Sequence, residues 1–383
     1  MGGVTIYDLA RAAGLSPSTV SRALRGHTSV SSATVERVQG IATSLGYRPN
    51  AVARSLAIHS SNLIAVMLPD IANPFFPSLV REVQMRAQAA GYLIFLCNTG
   101  GDAVVERQTL EMLASHQIGG VIAIGLQGTG YDLAGFLRTP IKFVSLDRSS
   151  AGVPWAVVQA DHRGGAELAT RYLLDLGHRH IALIAGPPGV LVAEDRTQGY
   201  RDALSSAGKT PDPRLIKFGD FSEESGYRAA TALLATGRNF TALFAANDLM
   251  ALGAMAAIVA QGRQIPRDLS VVGFDDIDLG RFASPTLTTV RQPLADLAQT
   301  AVDQLLAAIR HESTPSVATL LPVSLVIRES SGRPGEPGRV PASSLDRAAM
   351  AATEYRHPNP APSLTLSNRK ARPHTRHTEG GSE

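Results

Sequence analysis

The stretch VTIYDLARAAGLSPSTVSRALRG, residues 4–26, carries the clearest local pattern of the chain. Apolar residues recur at helical spacing from Ile6 onward, and Gly14 can adopt the positive φ that ends a helix. Ser16 is a good N-cap, and Pro17 suits the first position of the helix that follows. The sequence therefore predicts two short helices separated by a glycine-containing turn.

A third helix is predicted beyond this pair, with Ser31 as its cap and Gly46 at its end. Helix, turn, helix and supporting helix make up the helix-turn-helix plan, in which the second helix enters the DNA major groove. Arg22 on that helix can donate two hydrogen bonds to one guanine, whereas Ser18 discriminates bases only weakly. The periodicity alone fits an ordinary three-helix bundle almost as well, with Arg22 as a solvated charge.

The region resembles the DNA-binding head of the lac repressor family. The resemblance continues through VSSATVERVQGIATSLGYRPNAVARSLA, residues 30–57, which includes the GYRPN-x-x-A-R-x-L signature of that family. It implies that Ser18 and Arg22 read bases, with Pro17 beside them offering only an apolar surface. The residues that this interpretation assigns to bases, phosphates or the caps beside them are Thr5, Ser16, Pro17, Ser18, Thr19, Ser21, Arg22 and Ser31.

Residues 47–60 are predicted to form a hinge. Pro49 ends any preceding helix, and the helix that could follow over 51–57 is too short to be stable alone, because isolated helices need roughly 12–15 residues in water. On its residues alone, the segment fits a flexible linker better. The hinge helix of the family, matched at Asn50, Ala53 and Leu56, implies instead that the helix orders against a dimer mate and that the leucine enters a minor-groove step.

Charge is distributed unevenly along the chain. Residues 1–60 carry a net charge of +4, residues 61–330 of −4 and residues 331–383 of +3. A basic head on an acidic body is expected when only the head meets nucleic acid, although a chance excess of charge would look the same. The single cysteine, Cys97, fits a reducing compartment. Since we also find no secretory signal and no 18-residue apolar run, we expect a cytoplasmic protein without membrane contact.

From residue 61 onward, apolar strand-like runs alternate with helical stretches. Repeated βα units imply parallel sheets that are covered by helices on both faces. Because about 270 residues are many for one such sheet, two lobes of similar size are expected. The predicted strands are LIAVML (63–68), LIFLC (93–97), GVIAI (120–124), IKFVSL (141–146), IALIAG (181–186), TALFAA (241–246) and LSVVGF (269–274).

Polar residues follow several predicted strands, at the edge where open α/β sheets bind ligands. Asp147 and Arg148 follow one strand and Asp275 follows another. Carboxylates can bond vicinal hydroxyls, and a sugar ring can stack on phenylalanine. Any single aspartate could simply be a helix N-cap, which is the interpretation favoured for Asp248. The clustering at strand ends favours a polyhydroxylated ligand.

The body resembles the effector domain of the same family and the periplasmic sugar-binding proteins. The motifs are NPFF (73–76), LDR (146–148), RTQGY (196–200), AND (246–248), VVGFDD (271–276) and RQP (291–293). The resemblance implies a two-lobed α/β body with Rossmann-like parallel sheets and crossovers near Asp161, Gln292 and Pro322. One departure is His162, where the family usually has asparagine after the aspartate. The effector-binding residues implied are Asn73, Phe75, Phe76, Asp147, Arg148, Arg196, Phe221, Asn247, Asp275 and Gln292.

Enzymatic functions receive little support. GLQGTG (125–130) has the wrong spacing for a dinucleotide site, and P-loop, H-E-x-x-H and G-x-S-x-G motifs are missing. We therefore expect no catalytic residue, metal site or cofactor. The body alone would permit a sugar-binding transport component, but the missing signal peptide and the DNA-binding head count against it. An enzyme with a regulatory head is a third class, which lack of turnover of the bound ligand would dismiss.

The sequence thus predicts a multidomain protein. It comprises an all-α helix-turn-helix head over 1–46, a hinge over 47–60, an effector-binding and dimerisation body over 61–330, and a disordered tail over 331–383 with seven Pro and five Gly. The predicted function is that of a homodimeric transcriptional repressor. It would bind a roughly palindromic double-stranded DNA operator under the control of a sugar-like effector. A purine-like corepressor is the alternative effector.

Overall fold

The computed structural model of the 383-residue chain describes the head and most of the body. Asn50, Ala53, Leu56 and Arg148 lie outside the described residues, so the roles assigned to them remain predictions. The described ranges are 4–24, 26–47, 62–116, 118–126, 141–147, 155–311 and 318–335.

Within these ranges the head consists of α1 (Ile6–Ala13), α2 (Pro17–Leu24) and α3 (Ser32–Ser44). The predicted boundaries follow from local chemistry: Gly14 ends α1 in the left-handed conformation at φ 64°, and the Ser31 side chain caps α3. One apolar face of each helix is buried against the other two. The expected helix-turn-helix arrangement is confirmed.

The first lobe is built on a six-stranded sheet in the described part of the chain. Its strands are all parallel and run in the order β11-β5-β4-β3-β1-β2. They are β1 (Leu63–Leu68), β2 (Leu93–Asn98), β3 (Gly120–Ile124), β4 (Lys142–Leu146), β5 (Ala156–Ala160) and β11 (Ala318–Leu321). Helices α4 (Phe75–Ala89) and α11 (Leu294–Ile309) cover one face, and α5 (Ala103–Ser115) packs on the other.

The second lobe repeats this plan with the order β12-β10-β9-β8-β6-β7, again among described residues. Only the edge strand β12 is antiparallel to its neighbour. The strands are β6 (Ile181–Ala185), β7 (Ile216–Phe218), β8 (Ala242–Ala245), β9 (Ser270–Asp275), β10 (Thr288–Arg291) and β12 (Ser324–Val326). The helices are α6 (His162–Asp175), α7 (Leu191–Ser206), α8 (Glu223–Ala235), α9 (Asp248–Ala260) and the short α10 (Asp278–Phe282).

The chain changes lobe at the positions predicted from the sequence. It passes from β5 to α6 at Asp161, returns from β10 to α11 at Gln292, and passes from β11 to β12 at Pro322. All seven predicted strands form, whereas β5, β7, β10, β11 and β12 were not predicted. Those five contain three to five residues each, and each includes at least one polar residue, which weakens the apolar signal of a buried strand.

The interior strands β1 and β3 of the first sheet are buried on two faces, as their continuous apolar runs predict. In β1, Ile64 and Val66 pack under α4 and α11, while Ala65 and Met67 pack under α5. None of the helices in the described ranges combines the length and apolar content that a membrane crossing needs.

Candidate ligand cleft and nucleic-acid interface

A cleft of about 740 Å³ opens between the two lobes, at the carboxyl ends of their strands. Open α/β sheets bind ligands at this edge, because successive βα turns converge there. The structure brings together here most of the residues that the sequence assigned to an effector. Those lining the cleft are Asn73, Phe75, Phe76, Asp147, Arg196, Phe221, Asn247 and Asp275.

Gln292 lies behind the cleft wall instead of lining it. Its side chain is 3% exposed, and its Nε2 donates to Asp275 Oδ1 at 2.8 Å. Gln292 therefore orients the aspartate from the second crossover and does not face the cavity.

Aromatic side chains supply apolar surface to the cleft. The ring of Phe75 meets the ring of Phe76 edge-on, with centroids 5.3 Å apart, and Phe221 lies on the opposite lobe. Phe221, Asp147 and Asp275 all have positive φ angles, at 71°, 57° and 120°. Positive φ is least usual for a bulky residue such as Phe221, and such a conformation persists only where the surrounding structure enforces it.

Asp147 presents a buried carboxylate at the end of β4. Its Oδ1 accepts from His162 Nε2 at 3.0 Å and from the Ala160 N–H at 3.3 Å. Burial by itself raises the pKa of Asp147, but the electrostatic attraction of His162, the hydrogen bonds from His162 and Ala160 and the charge of Arg196 together hold the pKa below its usual value. The carboxylate is therefore ionised and ready to accept hydrogen bonds from a ligand.

Arg196 occupies the centre of the cleft floor and is 5% exposed. Its Nη2 lies 3.2 Å from Asp275 Oδ1, its Nη1 donates to the Ala246 carbonyl oxygen, and its Cζ lies 3.9 Å from the centroid of the Phe274 ring. Burial raises the pKa of Asp275, although the charge of Arg196 and the Gln292 hydrogen bond act against that rise. The guanidinium is thus held by neighbouring protein groups on several sides.

His162 is a residue whose importance sequence analysis missed. Its imidazole is 3% exposed and bridges Asp147 to Arg196, whose Nε and Nη2 lie 3.4 and 3.2 Å from its Nδ1. The signal was present as the departure from the asparagine that the family usually has. A sequence motif could not show that this side chain lies between Asp147 and Arg196 behind the cleft.

The structure also corrects the interpretation of Asp248 as a helix N-cap. Asn247 caps α9, accepting from the Met250 N–H, while its Nδ2 donates to the Phe221 carbonyl oxygen. Asp248 is fully buried and accepts from Thr289 Oγ1 and the Ile277 N–H. Burial, together with the nearby charges of Asp275 and Asp276, raises the pKa of Asp248 well above its usual value.

The outer wall of the cleft contains further polar residues. Asn98 ends β2, Asp70 lies just after β1, and Asp220 and Glu223 flank Phe221. Asn98 follows the same strand-end rule as Asp147, so extending that rule to β2 would have found it. Asp220 and Glu223 follow the short strand β7, which the sequence did not reveal.

In the head, α2 presents the predicted base-reading side chains. Ser18 and Arg22 are exposed one helical turn apart, with Arg22 Nε donating to the Ser18 carbonyl oxygen at 3.4 Å. Pro17, Thr19 and Ser21 are half-buried on the same helix. The surface fits a major-groove helix, since Ser18 in the first turn and Arg22 in the last turn are both exposed.

The other predicted DNA-contacting residues of the head lie at helix N-termini. Thr5 caps α1, Ser31 caps α3, and Ser16 Oγ accepts from the Thr19 N–H at the start of α2. Helix N-termini favour phosphate oxygens, so this placement fits contacts with the DNA backbone. Tyr7 on α1, which is 68% exposed, was not predicted and adds a further exposed side chain to the head.

Two family descriptions match the chain. Bacterial regulatory proteins of the lacI family match residues 5–50, and the periplasmic binding protein-like domain matches residues 170–331.

Individual relatives match over nearly their whole length. The HTH-type transcriptional regulator GalR of Escherichia coli is 36% identical over 330 residues, which are 86% of this chain and 96% of the relative. The ribose operon repressor of Halalkalibacterium halodurans is 37% identical over 328 residues, 85% of this chain and 97% of the relative. A solved structure of the lac repressor dimer bound to operator and the anti-inducer ONPF has a TM-score of 0.79 and 33% identity, covering 86% of this chain and 100% of that one. The chain therefore belongs to the lacI family of bacterial regulatory proteins.

Proposed function

We propose that this regulator is a homodimeric repressor whose head binds an operator and whose interlobe cleft binds an uncharged sugar or polyol as effector. The observation that carries the effector assignment is the lining of the cleft. Ionised Asp147 and amides such as Asn73 stand beside phenyl rings such as Phe76. Carboxylate and amide oxygens accept from hydroxyls, and the apolar face of a sugar ring packs on aromatic rings.

The charge of the cleft argues against a phosphorylated effector. Among the described lining residues, the carboxylates of Asp70, Asp147, Asp220, Glu223 and Asp275 face the single cation of Arg196. Arg196 is already paired with Asp275 and bonded to His162 and Ala246, so it offers little unmatched positive charge to a phosphate. A neutral, donor-rich ligand suits these acceptors better, since it meets them without repulsion.

A purine is the alternative effector. Its flat ring would use Phe75, Phe76 and Phe221, but it has few hydrogen-bond donors to offer the acidic walls. A pentose, hexose or disaccharide can pack on the aromatic rings and also donate hydrogen bonds to the acidic residues.

Isothermal titration calorimetry distinguishes these classes. The panel holds D-ribose, D-galactose, D-xylose and cellobiose, with galactose 1-phosphate, hypoxanthine and guanine as contrasts. We expect at least one neutral sugar to bind, with its phosphate ester weaker or silent. Binding of purines alone would overturn the sugar assignment and leave the regulator assignment intact.

Regulation would act through a dimer of this chain. Two heads would contact successive major grooves of a roughly palindromic operator, with the hinge helices of residues 51–57 between them. An effector that changes the angle between the lobes changes whether the hinges can order together on DNA. A complete switch from 1:99 to 99:1 needs a difference of about 5.5 kcal/mol in binding free energy between the two states. Such a regulator acts at the chromosome, in the cytoplasm, without a cofactor or catalytic step.

DNA binding is tested by a gel shift on the DNA upstream of the protein's own gene, with a scrambled duplex of equal length as control. We expect a shift on the upstream DNA that the sugar found by calorimetry alters. Equal affinity for both duplexes would contradict sequence-specific regulation.

A further inference from the structure

A continuous chain of polar contacts joins the two lobes beneath the cleft. It begins at Asp147 in the first lobe, passes through His162 at the first crossover, and reaches Arg196 and Asp275 in the second lobe. It ends at Gln292, on the second crossover. Asp147, Arg196 and Asp275 face the cavity, whereas His162 is enclosed behind them.

The hydrogen-bond partners define the state of the His162 ring. Arg196 can only donate, so Nδ1 of His162 must be the acceptor at 3.2 Å. The proton of a neutral ring then lies on Nε2, from which it is donated to Asp147 at 3.0 Å. One imidazole therefore satisfies an anion of the first lobe and a cation of the second at the same time.

These contacts also determine which hydrogen-bonding atoms of Asp147 and Arg196 are still available to a ligand. His162 and Ala160 occupy Oδ1 of Asp147, and His162, Asp275 and Ala246 occupy most of the N–H groups of Arg196. Within the described residues, no protein group donates to the second carboxylate oxygen of Asp147. The His162 imidazole thus holds Asp147 and Arg196 so that mainly hydrogen-bond acceptors face the cavity.

We propose that His162 is a positioning residue for effector recognition, which as the neutral Nε2–H tautomer ties the ligand-contacting groups of both lobes together at the first crossover. The inference rests on the cleft being the effector site. Lobe movement about the crossovers would change the distance from Asp147 to Arg196, and the imidazole holds that distance at the value the effector meets. A small polar side chain without this reach would leave the two groups independent.

The chain offers a matched control in His178. This imidazole is also buried, at 1% exposure, and also bridges two partners, with Nδ1 2.8 Å from Thr241 Oγ1 and Nε2 2.9 Å from the Gly332 carbonyl oxygen. It lies outside the cleft lining. Replacing either histidine removes a buried ring and two hydrogen bonds, so a merely structural effect should appear in both variants.

The first arm of the test uses the ligand-free protein. Long-range ¹H–¹⁵N NMR of protein labelled at histidine reads the tautomer of His162, assigned by loss of its signals in H162Q. We expect the Nε2–H pattern, with Nδ1 as acceptor. A proton on Nδ1, or a ring averaging between tautomers, would overturn the proposal whether or not any sugar binds.

The second arm measures affinity for the tightest-binding sugar of the panel D-ribose, D-galactose, D-xylose and cellobiose. H162L removes both hydrogen bonds to charged groups, so we expect about 10- to 100-fold weaker binding. H162Q can donate from its amide nitrogen and accept at its amide oxygen, and should recover most of that loss. H178L should keep wild-type affinity even if its thermal stability falls as far as that of H162L.

Equal loss in H162L and H178L, or no rescue by glutamine, would reduce His162 to a packing residue. If no sugar of the panel binds the wild-type protein, the sugar assignment of the cleft fails, and the tautomer measurement alone decides the proposal about His162.

Discussion

Arg22 and Ser18 are both exposed on α2, but they differ in how well they can discriminate between base pairs. Arginine donates two parallel hydrogen bonds to guanine, so Arg22→Ala should weaken operator binding by about 1–3 kcal/mol and relax preference at one position. Ser18→Ala is the matched control and should cost less. Fluorescence anisotropy on operator and scrambled DNA measures both variants. Equal loss on the two DNAs would make Arg22 a phosphate contact.

Asp275 carries the second residue-scale prediction, because it is both a cleft acceptor and the partner of two buried groups. Asp275→Ala removes the ion pair with Arg196 and the hydrogen bond from Gln292. Breaking a buried ion pair typically costs about 3–5 kcal/mol of stability. We expect calorimetry to detect no sugar binding, while operator binding without sugar persists. Asp275→Asn, which keeps the shape, separates the loss of charge from unfolding. Wild-type sugar affinity in both variants would remove Asp275 from the site.

The segment that follows β12 is fastened to the second lobe through a buried histidine. His178 bonds the Gly332 carbonyl oxygen, and Ser330 Oγ donates to the Val271 carbonyl oxygen. Burial lowers the pKa of His178 below 6.5, and the bond to Gly332 only partly opposes that shift. The folded protein therefore holds the neutral ring where the unfolded chain already binds a proton.

The stabilising contribution of neutral His178 is consequently present above the unfolded pKa and is lost as the pH falls below it. His178→Gln removes this dependence. Urea unfolding of both proteins between about pH 7.5 and about pH 5.5 should show the wild-type protein losing more stability on acidification. A stability difference between the two proteins that is independent of pH would contradict the assignment.

Helices α6 and α7 approach so closely that one position must be glycine. A Cβ on Gly199 would lie 2.1 Å from the carbonyl oxygen of Arg163. Gly199→Ala should destabilise the fold by about 1–3 kcal/mol, since a backbone atom cannot give way as a flexible side chain can. Because Arg196 lies one turn earlier on α7, sugar affinity should fall as well.

Gly40 in the middle of α3 is the contrasting helical glycine. A Cβ there would meet nothing within 4 Å. Gly40→Ala should stabilise the head by about 0.5–1 kcal/mol through helix propensity alone. Thermal denaturation followed by circular dichroism measures both glycine variants. Similar shifts in both would refute the close-packing explanation for Gly199.

At the scale of the whole molecule, the cleft must communicate with the head through residues 47–60. The prediction for this hinge rests on the sequence, since most of the segment lies outside the described residues. Amide hydrogens of 50–57 should exchange rapidly without DNA and become protected on the operator. Leu56→Ala should weaken operator binding and leave sugar affinity unchanged. Protection in the free dimer would mean that the hinge is preformed, and coupling through hinge ordering would fail.

The sequence by itself determined the features that depend on local periodicity or on helix capping. The boundaries of α1 and α2 follow from Gly14 and Pro17, which act on their immediate neighbours. The central strands of both sheets are continuous apolar runs, because helices cover them on two faces. Their alternation with helices determined the doubly covered sheets, and the strand-end rule located much of the cleft.

Only the tertiary structure decided the roles of side chains within that cleft. Asn247 and Asp248 are adjacent in a strand-end motif, yet the first caps α9 and the second is buried against Thr289 from another strand. Gln292 was expected to line the cleft, but its side chain donates to Asp275 instead. His162 connects Asp147 to Arg196, which lie 49 positions apart in the chain. The physical reason is that these hydrogen bonds depend on where two lobes, connected by three crossovers, bring distant residues together. A local sequence pattern contains no information about these long-range contacts.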